Sequence, residues 1–171
     1  MAQPESRSYK PPVMRDDGPG VSIWFGRVVH SGKWCAFDRK AVRRAYEQNK
    51  LATDESGWAR YDAHGLTSVT FVSESEDAFA EDQFFVDHKG VVMKMIRTGH
   101  YINDPLASVT FEPDARSRLR LAPSSKQVVE RMKAAGYDPY FVDWEHFSNL
   151  SQLPFVKLLD LKTAPKPGAC R

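Results

Sequence analysis

The segment from Ser22 to Lys50 constrains the fold of this chain more than any other stretch. It predicts a strand over Ile23–Val29, a tight turn around Ser31-Gly32-Lys33, and a second strand over Trp34–Phe37. Asp38 follows the second strand, and a carboxylate at this position can accept hydrogen bonds from the first-turn amides of a helix. We therefore expect this strand, turn, strand and helix to organise the rest of the fold.

The helix that begins after Asp38 is predicted over Arg39–Asn49. Val42, Ala45 and Tyr46 recur at helical spacing and give it a narrow apolar stripe. The rest of its surface is basic, which fits either an ordinary solvated face or a surface that binds phosphates or a partner. The basic residues are Arg39, Lys40, Arg43 and Arg44.

Trp24 and Trp34 flank the turn between the two strands. Large aromatic side chains dominate the energetics of protein cores, so we expect the two indoles to lie together and to seed a compact sheet. The predicted fold class is α+β, with a curved, mostly antiparallel sheet packed on one helix and a short helical C-terminal extension. The residues predicted for the core are Trp24, Trp34, Val42, Tyr46 and Phe85.

The middle of the chain is rich in residues that favour strands. A polar turn is expected over Thr53–Gly57, and the acidic run Ser73–Asp82 is typical of an exposed loop. A hairpin is expected across Asp87-His88-Lys89-Gly90. The predicted strands are Trp58–Tyr61, Leu66–Val72, Gln83–Asp87, Gly90–Ile96, His100–Ile102 and Ala107–Phe111.

The character of the chain changes after Glu112. Arginines alternate with other residues there, so an extended backbone would place their guanidinium groups on one side. Ser124 with Gln127 resembles a capping box for a helix closed by Gly136, and Leu153–Leu161 is predicted as a short helix. The alternating arginines are Arg116, Arg118 and Arg120.

Both ends of the chain are rich in proline, glycine and polar residues, a composition that does not fold alone. We expect them to become ordered against other protein subunits. The predicted organisation is an extended N-terminal arm over residues 1–20, an α+β domain over 21–112, a helical and aromatic extension over 113–162, and a tail over 163–171. The predicted partner-binding residues are Tyr9, Lys10, Pro11, Pro12, Val13, Tyr140, Phe141, Trp144, Phe147 and Phe155.

At 171 residues, with 42% apolar content and a net charge of +2, the chain can bury the core of one domain. It lacks the large basic excess of a general nucleic-acid coat. No apolar run is long enough to cross a bilayer, and the N-terminus has no apolar segment typical of a secretory signal. Cys35 and Cys170 are the only cysteines, which favours reduced thiols in an intracellular protein. The cytoplasm, a cilium and the mitochondrion are not distinguished.

The order of elements from Trp24 to Arg97 resembles the WWE domain family. Its members have a strand with a Trp, a turn, a second Trp opening the next strand, and a helix that carries a Glu. A closing hairpin follows, with a hydrophobic–Val–Asp string and basic residues near its end. Trp24, Trp34 and the Val42–Tyr46 helix occur here in that order, and Phe84-Phe85-Val86-Asp87 matches the closing string. The resemblance covers less than half of the chain.

The resemblance implies a half-open sheet curled about a helix and a role in protein interactions. Some WWE domains also bind ADP-ribose polymers through aromatic, Gln and Arg side chains. Two departures from the family pattern argue against polymer binding here. Arg43 or Arg44 stands where the Glu is expected, and Val91-Val92-Met93 stands where the polymer-binding members have a Gln.

No pattern of catalytic or metal-binding residues stands out. The histidines are scattered without ligand spacing, and no phosphate-binding glycine loop or nucleophile elbow occurs. We therefore predict no cofactor, no metal and no catalytic residue. The predicted function is a scaffolding domain that docks in a larger protein assembly through its extended termini.

Two alternatives stay open. The first is a reader of ADP-ribose polymer or RNA, in which Trp58 or Tyr61 stacks on bases and basic side chains contact phosphates. The second is an enzyme of unknown class, whose signature would be a pocket with convergent polar groups. The residues predicted to bind a polyanion are Arg39, Lys40, Arg43, Arg44, Arg116, Arg118 and Arg120.

Overall fold

The structure is a computed structural model and describes residues 20–74, 78–101, 105–143 and 146–171. The strands are β1 (Val21–Val28), β2 (Trp34–Phe37), β3 (Leu51–Asp62), β4 (Gly65–Glu74), β5 (Ala78–Val86), β6 (Val92–Tyr101), β7 (Ala107–Pro113) and β8 (Leu119–Leu121). The helices are α1 (Arg39–Glu47) and α2 (Pro123–Ala134), and short 3₁₀ helices span Tyr140–Asp143 and Leu150–Gln152.

The strands form one sheet in the order β2-β1-β3-β4-β5-β6-β7-β8, and every neighbouring pair is antiparallel. The prediction of an α+β fold with a mostly antiparallel sheet is confirmed. From β3 onward each strand lies beside the next one in the chain, because short turns suffice to join antiparallel neighbours. Strands β2 and β8 are the two edges of the sheet.

One face of the sheet, called here the closed face, holds the larger part of the core. Phe25, Phe84 and Met95 are fully buried on it. The C-terminal half of the chain covers this face, and the ring of Phe155 lies 4.3 Å from that of Phe25 between centroids. The C-terminal half contributes Met132, Phe141, Val142, Leu150, Leu153, Phe155, Leu158 and Leu159 to the buried cluster.

The other face, called here the open face, is covered by α1 over strands β1 to β3. Val42 of α1 packs there with Trp24 and Leu51. Farther along the sheet, on β5, the inward residues of the closed face are buried while Gln83 and its neighbours on the open face are half-buried. This alternation is typical of an antiparallel sheet with one solvated face.

Trp24 and Trp34 are both buried, but they lie on opposite faces of the sheet. Trp24 packs against Trp58 on the open face, with 5.1 Å between ring centroids. Trp34 packs against Phe25 on the closed face. The prediction that the two indoles lie together is therefore wrong. Trp34 pairs across the strands with Arg27, and positions 24 and 27 point to opposite faces because side chains alternate with a period of two.

Phe85 is predicted to belong to the core, but the structure does not bury it there. It is half-buried, with the Lys94 ammonium 4.7 Å from the centre of its ring, whereas the preceding Phe84 is 0% exposed. Val42 is buried, and Tyr46 is half-buried beside the cluster under α1. Of two consecutive phenylalanines in a strand only one can point to a given face, and strand pairing selects Phe84.

The C-terminal tail is bonded to the outer edge of β2. The amide of Arg171 donates to the backbone oxygen of Trp34 at 2.9 Å, and a disulfide joins Cys35 to Cys170. The prediction of reduced thiols in an intracellular protein is therefore wrong, because a disulfide indicates an oxidising environment. The two cysteines are 135 positions apart, and such a spacing carries no sequence signal of pairing.

Two polar stretches predicted as a turn and a loop belong in large part to strands. Strand β3 includes residues 53–57, and Glu55 there pairs with the Nε of Arg27 on β1. Strand β4 extends to Glu74 and β5 begins at Ala78, so most of the acidic run lies in the sheet. Pairing with neighbouring strands overrides the weak local preference of polar residues.

The C-terminal half contains less helix than the sequence predicts. Helix α2 begins at Pro123 without a side-chain cap, and the Ser125 hydroxyl oxygen instead accepts a hydrogen bond from the amide of Thr110 at 2.8 Å. Residues Leu153–Leu161 form turns rather than a helix. Their apolar side chains pack on the closed face, so burial explains the pattern that suggested a helix.

Candidate functional site

The aromatic residues predicted to contact a partner belong to the chain's own core wherever the structure describes their side chains. Phe141 and Phe155 are 0% and 1% exposed. Phe147 is half-buried, with its ring 6.4 Å from that of Phe84. These three side chains are therefore committed to the closed face. The other predicted contacts lie outside the described residues or side chains: Tyr9, Lys10, Pro11, Pro12, Val13, Tyr140 and Trp144.

A buried ion pair links β5 to β6 on the closed face and also contacts the C-terminal half. Arg97 on β6 is 2% exposed, and its Nε and Nη2 donate to the two carboxylate oxygens of Asp82 on β5, each at 2.6 Å. Its Nη1 donates to the backbone oxygen of Phe141 at 3.1 Å. Burial raises the pKa of Asp82, while the hydrogen bonds and charge of Arg97 oppose that rise. The bidentate geometry satisfies both charges. We call this pair the clamp, because the hydrogen bond from Nη1 to Phe141 ties it to the C-terminal half.

His146 lies beside the clamp. Its ring centroid is 4.2 Å from that of Phe111, and its Nε2 is buried without a hydrogen-bond partner. Burial and the charge of Arg97 lower the pKa of His146 to about 4, although a hydrogen bond with Val142 and the charge of Asp143 act in the opposite direction. The imidazole is therefore neutral at pH 7 and packs as an aromatic ring of the core.

The basic surface of α1 is exposed to solvent. Arg43 Nε donates to Glu47 at 3.0 Å, and both side chains of this pair are more than half exposed, so the pair contributes little to stability. The Asp38 carboxylate accepts a hydrogen bond from the amide of Ala41 at 2.7 Å and caps the helix as predicted. The first turn of α1 contains no acidic residue. The cations Arg39, Lys40 and Arg44 stand on this surface with Arg43.

Arg116, Arg118 and Arg120 lie around β8, at the far edge of the sheet from the strands under α1. The carboxylate of Asp114 accepts hydrogen bonds from the amides of Arg116 and Arg118 and from the side chains of Arg118 and Arg120. These bonds hold the pKa of Asp114 well below its usual range. The three arginines therefore support the turn between β7 and β8. The structure does not bring together the two halves of the predicted polyanion surface.

The two side chains predicted to stack on bases do not share a surface. Trp58 is half-buried in the cluster under α1. Tyr61 is 4% exposed and packs on the closed face, where burial and the charge of Asp160 raise the pKa of its hydroxyl. A stacking platform would need both rings on one accessible face.

A cavity of about 130 Å³ lies between the turn that joins β5 to β6 and the C-terminal segment. Its walls are largely apolar, and its polar groups come from the turn and from the second 3₁₀ helix. Sequence reasoning missed it because these two segments are far apart in the chain. The lining residues are Lys89, Gly90, Asn149, Leu150, Ser151, Phe155, Val156, Leu159 and Leu161.

Among the described residues, no group of three or more His, Cys, Asp or Glu side chains could hold a metal ion. No helix among the described residues is both long and apolar enough to span a membrane.

Comparison with known proteins gives no match to a family model, to a curated protein or to a solved structure. The structure by itself describes an α+β domain with one antiparallel sheet among the described residues, whose closed face is filled by the C-terminal half of the same chain. Its function has to be sought on the exposed surfaces and in the cavity.

Proposed function

We propose that this protein is a non-catalytic interaction domain that docks in a larger protein assembly through the basic surface of α1. The observation that carries the proposal is the separation of charge along the chain. Residues 21–50 contain seven Lys and Arg against two Asp and Glu, a net charge of +5. The whole chain carries +2, so the remaining residues sum to −3.

The placement of charge on α1 supports a binding role. Arg39 and Lys40 occupy the first turn of the helix, where the free amides and the helix dipole disfavour positive charge. The carboxylate of Asp38 offsets this only in part, because it is a single charge. Residues that oppose a local structural preference are expected at functional sites. Cations fixed there attract an acidic partner and steer its approach.

The proposed partner is an acidic surface of another protein. The closed face is filled, whereas α1 and the adjoining open face are accessible to a partner. On the open face, half-buried residues such as Gln83, Ile96 and Thr98 present mixed polar and apolar groups, as protein interfaces do. The N-terminal arm, with Tyr9 to Val13, belongs to the proposal as a second contact on the strength of its composition alone.

The WWE-like order of elements supports the same role. In this proposal the sheet curls about α1 as a half-open sheet, and the domain serves as a protein-binding module. Arg43 or Arg44, both of them exposed, stands where the family carries a Glu, which changes the sign of charge on the helix. A WWE-like module with this helix would select acidic partners.

A second candidate is a reader of ADP-ribose polymer or RNA on the same helix. Four exposed cations on a nine-residue helix favour it, because guanidinium groups bind phosphates in a bidentate way. The position of Arg116, Arg118 and Arg120 at the far edge weakens it. The opposite orientations of Trp58 and Tyr61 weaken it further.

The test compares two triple variants that remove the same charge. The α1 variant carries R39Q, K40Q and R44Q, and the matched control carries K126Q, R131Q and K133Q on α2, all at exposed positions. Fluorescence anisotropy measures binding of a labelled Glu-rich peptide, ADP-ribose polymer and single-stranded RNA at two salt concentrations.

We expect the wild type and the control to bind the Glu-rich peptide, and the α1 variant to bind it about tenfold more weakly. Binding of a polymer without binding of the peptide would replace the first candidate with the second. Equal binding of every probe by the two variants, or no binding by the wild type, would contradict both candidates.

A further inference from the structure

We propose that the cavity between the β5–β6 turn and the C-terminal segment binds a small organic carboxylate with an apolar body of about six carbon atoms. The site is separate from α1, and the inference does not depend on the function proposed above.

The size and the walls of the cavity define the apolar body of the ligand. The walls are formed by Leu150, Phe155, Val156, Leu159 and Leu161. The volume is about 130 Å³, and an apolar cavity of about 150 Å³ is known to hold a molecule of benzene. A ligand of matching shape would remove its own apolar surface and that of the walls from water.

The polar residues that line the cavity indicate the charged end of the ligand. Lys89, Asn149 and Ser151, whose side chains carry an ammonium, an amide and a hydroxyl, are among the lining residues, and no acidic residue lines the cavity. Asn149 already accepts a hydrogen bond from the amide of Ser151 through Oδ1 at 2.8 Å, so its side-chain NH₂ is the group left to donate. An apolar pocket with a few convergent donors matches a carboxylate joined to a hydrocarbon.

The charge of Lys89 is available to a ligand. Within the described residues, Lys89 forms no ion pair. The carboxylate of Asp87 accepts the amides of Lys89 and Val91 at 2.8 and 2.9 Å, and its charge interacts with that of Lys89. Those bonds hold Asp87 in the turn, and Asp87 is not among the residues that line the cavity.

The turn and the C-terminal segment are held together before any ligand arrives. The amide of Leu150 donates to the backbone oxygen of Gly90 at 3.0 Å, and the amide of Val92 donates to that of Ser148 at 3.1 Å. Gly90 has a φ of +79°, and a Cβ there would lie 3.2 Å from the side chain of Leu161. Glycine therefore lets the turn approach the wall closely, and the cavity is pre-formed, which lowers the cost of binding.

The experiment uses the full chain with its disulfide intact. Thermal unfolding and titration calorimetry are measured with hexanoate, with hexan-1-ol as the neutral analogue, with acetate as the headgroup alone, and with dodecanoate as a longer acid. We expect hexanoate to bind with a Kd on the order of 1 mM. At ten times its Kd, it should raise the Tm by about 3 to 5 °C. Hexan-1-ol and dodecanoate should bind at least several-fold more weakly, and acetate should have no effect.

Two variants at exposed positions locate the site without disturbing the core. Lys89→Gln should weaken hexanoate about tenfold while leaving hexan-1-ol unchanged, and Ser151→Trp should block both. Lys157→Gln, at another exposed lysine of the same region, is the control and should bind as the wild type does.

Three results would overturn the proposal. Equal shifts with acetate and hexanoate would show that no apolar body is bound, and unchanged binding in both variants would place the site elsewhere. Tighter binding of a peptide that ends in a free Leu carboxylate would assign the cavity to the C-terminus of another protein. These measurements do not involve α1, so a negative result for the cavity would leave the interaction proposal unaffected.

Discussion

The two faces of the sheet are built from the same strands but are used differently. The closed face buries the larger cluster, and the C-terminal half covers it with residues such as Phe155 and Leu158. The open face carries a smaller cluster around Trp24, Val42 and Leu51, with α1 packed on it. The contrast teaches that Phe141, Phe147 and Phe155 of the C-terminal half serve this chain's own core. The basic surface of α1, in contrast, is exposed to solvent.

Substitution of Arg97 in the clamp tests whether the closed face excludes water. Replacing Arg97 with Met should lower the free energy of unfolding by about 3 to 5 kcal/mol, because Asp82 would be left buried without its partner. Urea denaturation at pH 7 measures the loss. Gln83→Ala, on the open face of the same strand pair, is the control and should change stability by about 0.5 kcal/mol or less.

A double variant sharpens the result. Replacing Asp82 with Leu together with Arg97→Met removes both buried charges, so its loss should be smaller than that of Arg97→Met alone. A loss below about 1 kcal/mol for Arg97→Met would contradict a closed face that excludes water.

Removal of the disulfide tests how much the covalent link between the tail and β2 stabilises the fold. Cys170→Ser should lower stability by about 2 to 4 kcal/mol, because the bond closes a long loop in the unfolded chain. Urea denaturation of the wild type with and without dithiothreitol should show the same loss. The double variant C35A/C170S is the control and should not respond to the reductant. If reduction leaves the wild-type midpoint unchanged, the disulfide contributes nothing to stability.

The pH dependence tests the burial of His146 on the closed face. The pKa of His146 is about 4 in the folded protein against about 6.5 when unfolded, so the unfolded chain binds more protons between these values. Stability should therefore be fully present above pH 6.5 and should fall by about 1 to 2 kcal/mol on acidification to pH 4, a figure reduced for partial exposure of the ring. His146→Phe should remove this slope, and an unchanged slope would place the titration elsewhere.

The carboxylates whose pKa values are lowered lose their contribution to stability in a lower pH range. The pKa values of Asp87, Asp114 and Asp160 are lowered by hydrogen bonds from backbone amides. Their contribution is present above the ordinary carboxyl range and is lost only as the pH falls below about 4. The interval between pH 4 and pH 6.5 therefore excludes these three carboxylates. Asp82, whose pKa is raised by burial, contributes there with the opposite sign to His146, so the difference between the wild type and His146→Phe isolates the histidine.

The smallest predicted change in the free energy of unfolding is an increase, and it comes from substitutions on α1. Replacing Arg39 and Lys40 with Glu should raise stability by about 0.3 to 1 kcal/mol per residue at low ionic strength, because acidic groups suit the first turn of a helix. The same variant should lose affinity for a Glu-rich peptide. Urea denaturation at low and high salt checks the first effect, which salt should screen. A stability lower than the wild type would contradict the view that α1 sacrifices stability for binding.

Local signals in the sequence predicted the first part of the fold well. Asp38 caps α1 as expected, and the alternation of residues around the Asp87 turn predicted the hairpin of β5 and β6. These features depend on neighbours within a few positions, so propensity and spacing are enough to reveal them.

Contacts between distant segments could not be predicted in the same way. The acidic run predicted as an exposed loop lies in large part on a strand with one buried face, where Asp82 pairs with Arg97. The partnership of Cys35 with Cys170 has no spacing rule. A charged residue at an inward position on each of two neighbouring strands is the one signal that could have indicated the clamp. It becomes visible only once the strand register is known.

Amide hydrogen exchange measured by NMR tests most directly whether the C-terminal half closes the sheet. The amides of Leu150, Gly168 and Arg171 donate to the backbone oxygens of Gly90, Ala36 and Trp34 at 3.0, 2.7 and 2.9 Å. If the closed face is built as described, these amides exchange as slowly as those of the central strands, through global unfolding. Exchange within seconds at all three, while the central strands stay protected, would show that the C-terminal half is free of the sheet and would contradict the account.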